Sequence, residues 1–177
     1  MAMKMNRRTF LKTTAAAAVA VSVTGLLGGC SDAADSGIKL NGYTIGIDMN
    51  KATKSWGGAA GAGEGEETGY LCATFKIKAG SGVGLNTTNG IFSGMTSTGD
   101  ALTLENRQNV VALVQNVPIP VEVKFSTKDK KVYDALVAGT ITLLVNINPT
   151  GGDKAVQYAI NYATKEAAGK VVDLETN

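Results

Sequence analysis

The chain has 177 residues, with 17 Lys and Arg against 15 Asp and Glu and a formal charge of +2. That length suits one ordinary domain plus a targeting segment, and the near balance of charge argues against a nucleic-acid binder, which grips phosphates with a basic face. Histidine is absent, which removes the commonest neutral-pH base and metal ligand. The 22 glycines and 6% aromatic content imply many turns around a modest core.

The N-terminal segment carries the sharpest signal. Asn6-Arg7-Arg8-Thr9-Phe10-Leu11-Lys12 places paired arginines before x-Phe-Leu-Lys and resembles the twin-arginine export motif, with Asn6 standing where Ser or Thr is usual. An Ala-rich, weakly apolar run without an acid covers residues 13–29. It falls short of the ~20 residues that a spanning helix needs and fits the apolar part of a cleaved signal. Leu27-Gly28-Gly29-Cys30 then resembles the lipobox of bacterial lipoproteins. The small residues let the backbone enter a peptidase cleft, and the Cys30 thiol is the only nucleophile there able to take a diacylglyceryl group.

These resemblances imply Arg7, Arg8, Phe10 and Leu11 as export residues and Cys30 as the lipidation site. They divide the chain into a signal peptide at 1–29, a lipidated tether at 30–37 and a domain at 38–177. The expected location is extracytoplasmic, held at a membrane by two acyl chains, which anchor stably where one does not. Cleavage before Cys30 removes four cations and no acids, leaving 148 residues with 13 cations, 15 acids and a charge of −2. Cys72 is the only other cysteine, so acylation of Cys30 would exclude an internal disulfide. Twin-arginine substrates, by resemblance, cross already folded, and a fold completed in a reducing cytoplasm does without such bonds.

Beyond a short polar stretch at 31–37, the pattern turns to period two. Residues 43–49 alternate, and in residues 71–78 Leu71, Ala73, Phe75 and Ile77 face one way while Cys72, Thr74, Lys76 and Lys78 face the other, the mark of a half-buried antiparallel strand. Further strands are expected at 91–95, 101–104, 110–114, 121–125 and 140–147. Gly80-Ser81-Gly82, Asn89-Gly90, Thr98-Gly99-Asp100, Pro118, Pro120 and Pro149-Thr150-Gly151-Gly152 read as turn punctuation. Two stretches fit a helix as well. Val132 with Leu136, and Tyr133 with Val137, stand at i, i+4, which allows a helical turn at 130–137. Residues 155–167 suit a helix or a strand, and strands are favoured because the remainder is β and packed layers need matching partners. In that reading Val156, Tyr158, Ile160 and Tyr162 share one face, a turn follows at 166–170 and a last strand at 171–174.

Residues 51–69 read as a long loop. They hold the sole tryptophan, Trp56, a Gly/Ala run, then Glu64, Glu66 and Glu67. An unstructured loop of that length is functional or mobile, so Trp56 with the three carboxylates is the candidate recognition element, for a protein or glycan partner. Calcium suits clustered carboxylates, although the spacing matches no EF-hand loop. Lys128, Lys130 and Lys131 around Asp129 read as a solvated turn.

Catalytic patterns are missing. No Ser lies in Gly-x-Ser-x-Gly, the one Ser-x-x-Lys match, Ser36-Gly37-Ile38-Lys39, comes without a Ser-Asp-Asn or Lys-Thr-Gly companion, and Cys72 has no histidine partner. The Gly-rich stretches do not run into Lys-Ser/Thr and a helix, as a phosphate loop requires. Neither a cofactor nor a catalytic role is expected. A lipobox, a polar tether and many short strands resemble the small Ig-like domains of bacterial surface lipoproteins, which implies an antiparallel β-sandwich. The Cys pair bracketing a Trp, the Ig hallmark, is absent. The expected role is a non-catalytic binding or structural module at the cell surface. The alternatives are a subunit of a surface assembly joined by strand addition and an accessory domain to a transporter or exported enzyme.

Overall fold

The computed structural model describes residues 37–58 and 67–174. The export motif, Cys30, Glu64 and Glu66 lie outside them. Among the described residues, eleven strands and one α-helix form. β1 (Ile38–Leu40), β2 (Tyr43–Gly58) and β3 (Glu67–Ala79) make a meander. β4 (Asn86–Thr88), a 3-10 turn (Asn89–Ile91), β5 (Phe92–Thr96), β6 (Ala101–Leu104) and β7 (Val110–Ala112) follow. Then come β8 (Pro118–Thr127), α1 (Lys130–Ala138) and a second meander of β9 (Leu143–Ile147), β10 (Lys154–Asn161) and β11 (Glu166–Asp173).

Nine strands pair antiparallel in the order β1-β2-β3-β8-β6-β5-β9-β10-β11, while β4 and β7 pair separately. The sheet folds over at β6, whose first half pairs β5 (Gly94↔Leu102, Met95↔Ala101) and whose second half pairs β8 (Thr103↔Ser126, Leu104↔Phe125). A strand shared in this way turns a corner between layers. The layers then face each other. The Phe75 ring on β3 lies 5.2 Å from Phe92 on β5 and 5.7 Å from Tyr158 on β10. Gly94 is required at that interface, because a Cβ there would stand 2.6 Å from the Phe125 ring. Phe75, Phe125, Leu71, Ile77, Val145 and Ile160 are fully buried between the layers; each such side chain contributes about 1.5–3 kcal/mol relative to exposure.

The far margins also approach. β1 lies against β10 and β11, Ile38 packs over Gly169, and the Tyr158 hydroxyl donates to Ile45 O at 2.7 Å. The fold is therefore an antiparallel sandwich verging on a barrel. The likeness to Ig-like domains extends to the two antiparallel layers. Strand order differs, since β1, β2 and β3 are successive neighbours in one layer, whereas the Ig arrangement places its third strand in the opposite sheet.

Several sequence expectations move. Pro118 and Pro120 are not turn residues; they open β8, opposite Lys78 and Lys76. Their missing N–H groups point away from β3, on a margin where β6 pairs only Phe125 and Ser126, so no ladder bond is lost. On the same margin Asn89 Nδ2 and Asn106 Nδ2 both donate to Glu122 O. The 155–167 stretch is strand, as favoured, but the turn falls earlier, at 162–165. Asn161 Oδ1 accepts from Ala163 N and Thr164 N, an Asx turn that reverses the chain, and β11 pairs β10 all the way from Glu166 to Asp173. Residues 130–137 form a true helix. Asp129 caps its first turn, accepting from Lys131 N and Val132 N, and Gly139 ends it in the left-handed conformation, as helix ends commonly do.

Candidate functional site

The expected loop at 51–69 is instead the end of a long hairpin. Residues up to Gly58 continue β2, and β3 begins at Glu67. Thr53 to Gly58 pair with Cys72 to Glu67 after a bulge between Asp48 and Thr53. Small residues blur the alternation on the β2 side, so pairing is imposed by the well-patterned β3. Trp56 stands directly opposite Gly69, and a Cβ at Gly69 would run into the rings of Tyr133 and Trp56. The glycine opens a slot that two aromatic side chains fill.

The Trp56 ring is held on several sides. Tyr133 of α1 lies 5.1 Å away at 49°, and Lys130 Nζ stands 5.2 Å from the ring centre, within cation–π range. Lys130 also pairs with Asp134 one turn on; Lys128, Lys130 and Lys131 are all exposed, as a solvated run should be, but Lys130 and Lys131 open the helix rather than lie in a turn. Trp56 Nε1 donates to Glu67 Oε2. Burial raises the Tyr133 hydroxyl above its ordinary pKa, with Lys130 opposing and Asp134 adding. The candidate recognition anchor is thus engaged within its own fold, and Trp56 packs against the main core. Sequence reasoning missed Gly69, Tyr133 and Lys130 as its partners. The readable signal was the i, i+4 spacing that put Tyr133 on one helical face, downstream of an N-capping Asp129.

Elsewhere the titratable groups are dispersed. Among the described residues, no three His, Cys, Asp or Glu side chains converge as a metal site. Cys72 is a half-buried free thiol on β3, paired with Thr53 and Lys124, and its carbonyl accepts from the Tyr162 hydroxyl at 3.1 Å.

A second region presents recognition features of a different kind. In the small β4–β7 sheet, Leu113 N donates to Leu85 O and Asn89 N to Asn109 O. By alternation Val110 and Ala112 turn their N–H and C=O groups away from β4. Val110 is 75% exposed and Val114 52%. Residues 108–121 carry no charge, so this edge lacks the lysines that usually discourage strand pairing.

Residues 4–24 match the family of TAT (twin-arginine translocation) pathway signal sequences. No curated protein and no solved structure matches the chain. The fold and the signal together define an exported, mainly β protein that leaves the cytoplasm by the twin-arginine route.

Proposed function

We propose that the protein is a lipid-anchored, extracytoplasmic β-module with a binding or structural role and no catalysis of its own. The observation that carries this reading is Leu27-Gly28-Gly29-Cys30, which begins three residues after the matched export signal ends. A lipobox-like sequence at that spacing supports cleavage before Cys30 and acylation of its thiol. Two acyl chains, at about 0.8 kcal/mol per buried methylene, make a durable anchor. The dispersal of titratable groups among the described residues favours contact over chemistry. The test is Cys30→Ser in the full chain. The variant should leave the membrane fraction or accumulate as unprocessed precursor; equal retention of both proteins after alkaline washing would overturn the reading.

A second reading, assembly by strand addition, is favoured by the uncharged β7 edge. An added extended strand would take its hydrogen bonds from Val110 and Ala112. Val110→Lys should then abolish any concentration-dependent rise in sedimentation coefficient shown by the unmodified protein. A unmodified protein that stays monomeric at all concentrations and binds no extended peptide would exclude it.

A further inference from the structure

We propose that the end of the sandwich built from residues 41–42, 80–85 and 113–117 is a lipid-contact surface, resting on the bilayer to which the chain is anchored. The proposal rests on the anchoring reading and adds to it the part of the domain that meets the membrane. Hydrogen bonds tie these segments together. Gly80 N donates to Gly42 O at 2.9 Å and Asn116 N to Ala79 O at 2.7 Å. Gln115 Nε2 donates to Ser81 Oγ at 2.9 Å, and the Tyr43 hydroxyl to Gly84 O at 3.0 Å. Val114 and Val117 oppose each other across a tight turn that holds Asn116 in the left-handed region. Directly opposed residues project to the same side, so the two valines form one tip. Leu113 N donates to Leu85 O, which sets Leu85 beside the same segment.

This tip is apolar and faces outward. Val114 is 52% exposed, Val117 44% and Leu85 41%. Among the described residues, the other large apolar side chains so exposed are Val110 on the adjoining β7 and Val171 on β11. Exposed apolar groups gathered in one place mark a contact surface, whereas scattered ones do not. Charge is withheld from the same end. Residues 40–47, 79–99 and 108–121 carry none. The neighbouring turn at 148–153, tied in by Asn41 Nδ2 donating to Thr150 Oγ1 at 3.1 Å, carries Asp153 alone. Behind the tip, Lys39 and Lys78 flank Thr44 in one cross-strand row. Valines ahead and lysines behind is the order of an interfacial contact: apolar groups enter the acyl boundary, and cations meet anionic headgroups.

The path of the chain brings lipid to this end. Gly37 packs against the Ile45 backbone, ~10 Å along β2 from the turn at Gly42. The eight residues from Cys30 to Gly37 reach ~26 Å at full extension, so an acylated Cys30 puts the bilayer within range of the tip. The opposite end is out of range, because Gly58, at the far end of β2, stands ~40 Å from Ile45. The broad face of β2, β3 and β8 also lies within reach, but it presents Lys76, Asp48 and Lys124 where the tip presents valines.

The test uses the mature protein purified from membranes of cells expressing the full chain. It carries Cys72→Ser with either Ser81→Cys or Ser55→Cys, each labelled with a nitroxide, in vesicles of phosphatidylcholine and phosphatidylglycerol. Ser81 borders the tip through Gln115, and Ser55 is exposed on the far hairpin. A polar nickel relaxing agent is excluded from the acyl boundary, so its collision rate should be about tenfold lower at position 81 than at position 55. Adding Val114→Asp/Val117→Asp should return position 81 to the rate seen at 55. Equal rates at the two positions in an acylated, vesicle-bound protein would overturn the proposal and leave the anchoring reading standing. Protection at position 81 that grows with protein density on the vesicles would assign the tip to a second copy and overturn it likewise. A purified protein without the acyl mass, whose Cys30 thiol takes the label, would sink the anchoring reading and this proposal with it.

Discussion

On the outer face of β2, β3 and β8, Lys76 lies 3.9 Å from Asp48 and Lys124 stands 3.8 Å above the Tyr70 ring. The outward row of β5, β9 and β10 carries no charge, and Met95, Leu144 and Ala155 are buried there. Both rows obey the same alternation, so period two says which residues leave the core without saying what they meet outside it. Charge is what separates the two. Long cationic stems covering small residues are a surface suited to water, whereas the uncharged row holds Met95, Leu144 and Ala155 out of water.

The sharpest break of this comparison is a charge on the uncharged row. Leu144→Asp in the full chain should cost about 3–4 kcal/mol, the loss of a buried leucine compounded by a buried carboxylate, read as a lower urea midpoint. A loss under about 0.5 kcal/mol would make the two outer faces equivalent.

The interior between them can be probed separately at high pH. Burial, opposed by a backbone hydrogen bond, pushes the Tyr158 hydroxyl up to about 12; burial first, and Cys72 second, also raise Tyr162. A raised folded pKa means that the unfolded chain loses its proton first. The stabilisation is complete below pH ~10 and declines as pH climbs towards the folded values, by up to about 1.4 kcal/mol per unit for each ring. Tyr158 alone therefore accounts for roughly 2.7 kcal/mol by pH 12. Urea midpoints that stay level from pH 9.5 to 11.5 would place these rings in water rather than between the layers.

The hairpin corner should respond less than a fully enclosed site. Trp56→Ala removes a half-buried ring from Tyr133, Gly69 and Lys130, and is expected to cost about 2 kcal/mol, below the 3–5 typical of a fully buried aromatic. Unchanged thermal unfolding with loss of partner capture would return Trp56 to a recognition role. The smallest effect belongs to the charged face: Lys76→Ala breaks a long, partly exposed pair with Asp48 and should shift stability by less than about 0.5 kcal/mol. A loss comparable to Leu144→Asp would show that the charged face is as closed to water as the uncharged one.

Much of the fold was legible because its signals are local. Leu71, Ala73, Phe75 and Ile77 declare β3 through alternation within one segment, whereas Val156 and Ile160 suited a helix as well as a strand until the β neighbours decided. The candidate site was less legible. Residues 51–58 look like a loop because Lys51, Thr53, Lys54 and Ser55 are polar on both faces and Gly57-Gly58 lacks side chains; they become strand through partners in β3. Pro118 and Pro120 look like breaks because a proline's cost depends on which side of the ladder it faces, and that is a property of the neighbouring strand. Leu144 and Asn146 held a clue in plain view, since neither is charged where a wet row would be.

The sequence by itself determined the export signal, the antiparallel β class and the inward rows, since each follows from side chains close together in the chain. Only the tertiary structure decided that β6 turns the corner between layers, that Gly69 makes room for Trp56 and Tyr133, and that one outward row is charged and the other dry. Those outcomes depend on pairings between residues tens of positions apart, such as Gly69 with Tyr133 and Phe75 with Tyr158. Alternation places a side chain on one face of its own strand, but the strand's neighbours, and whatever lies across from them, set the environment that the side chain meets.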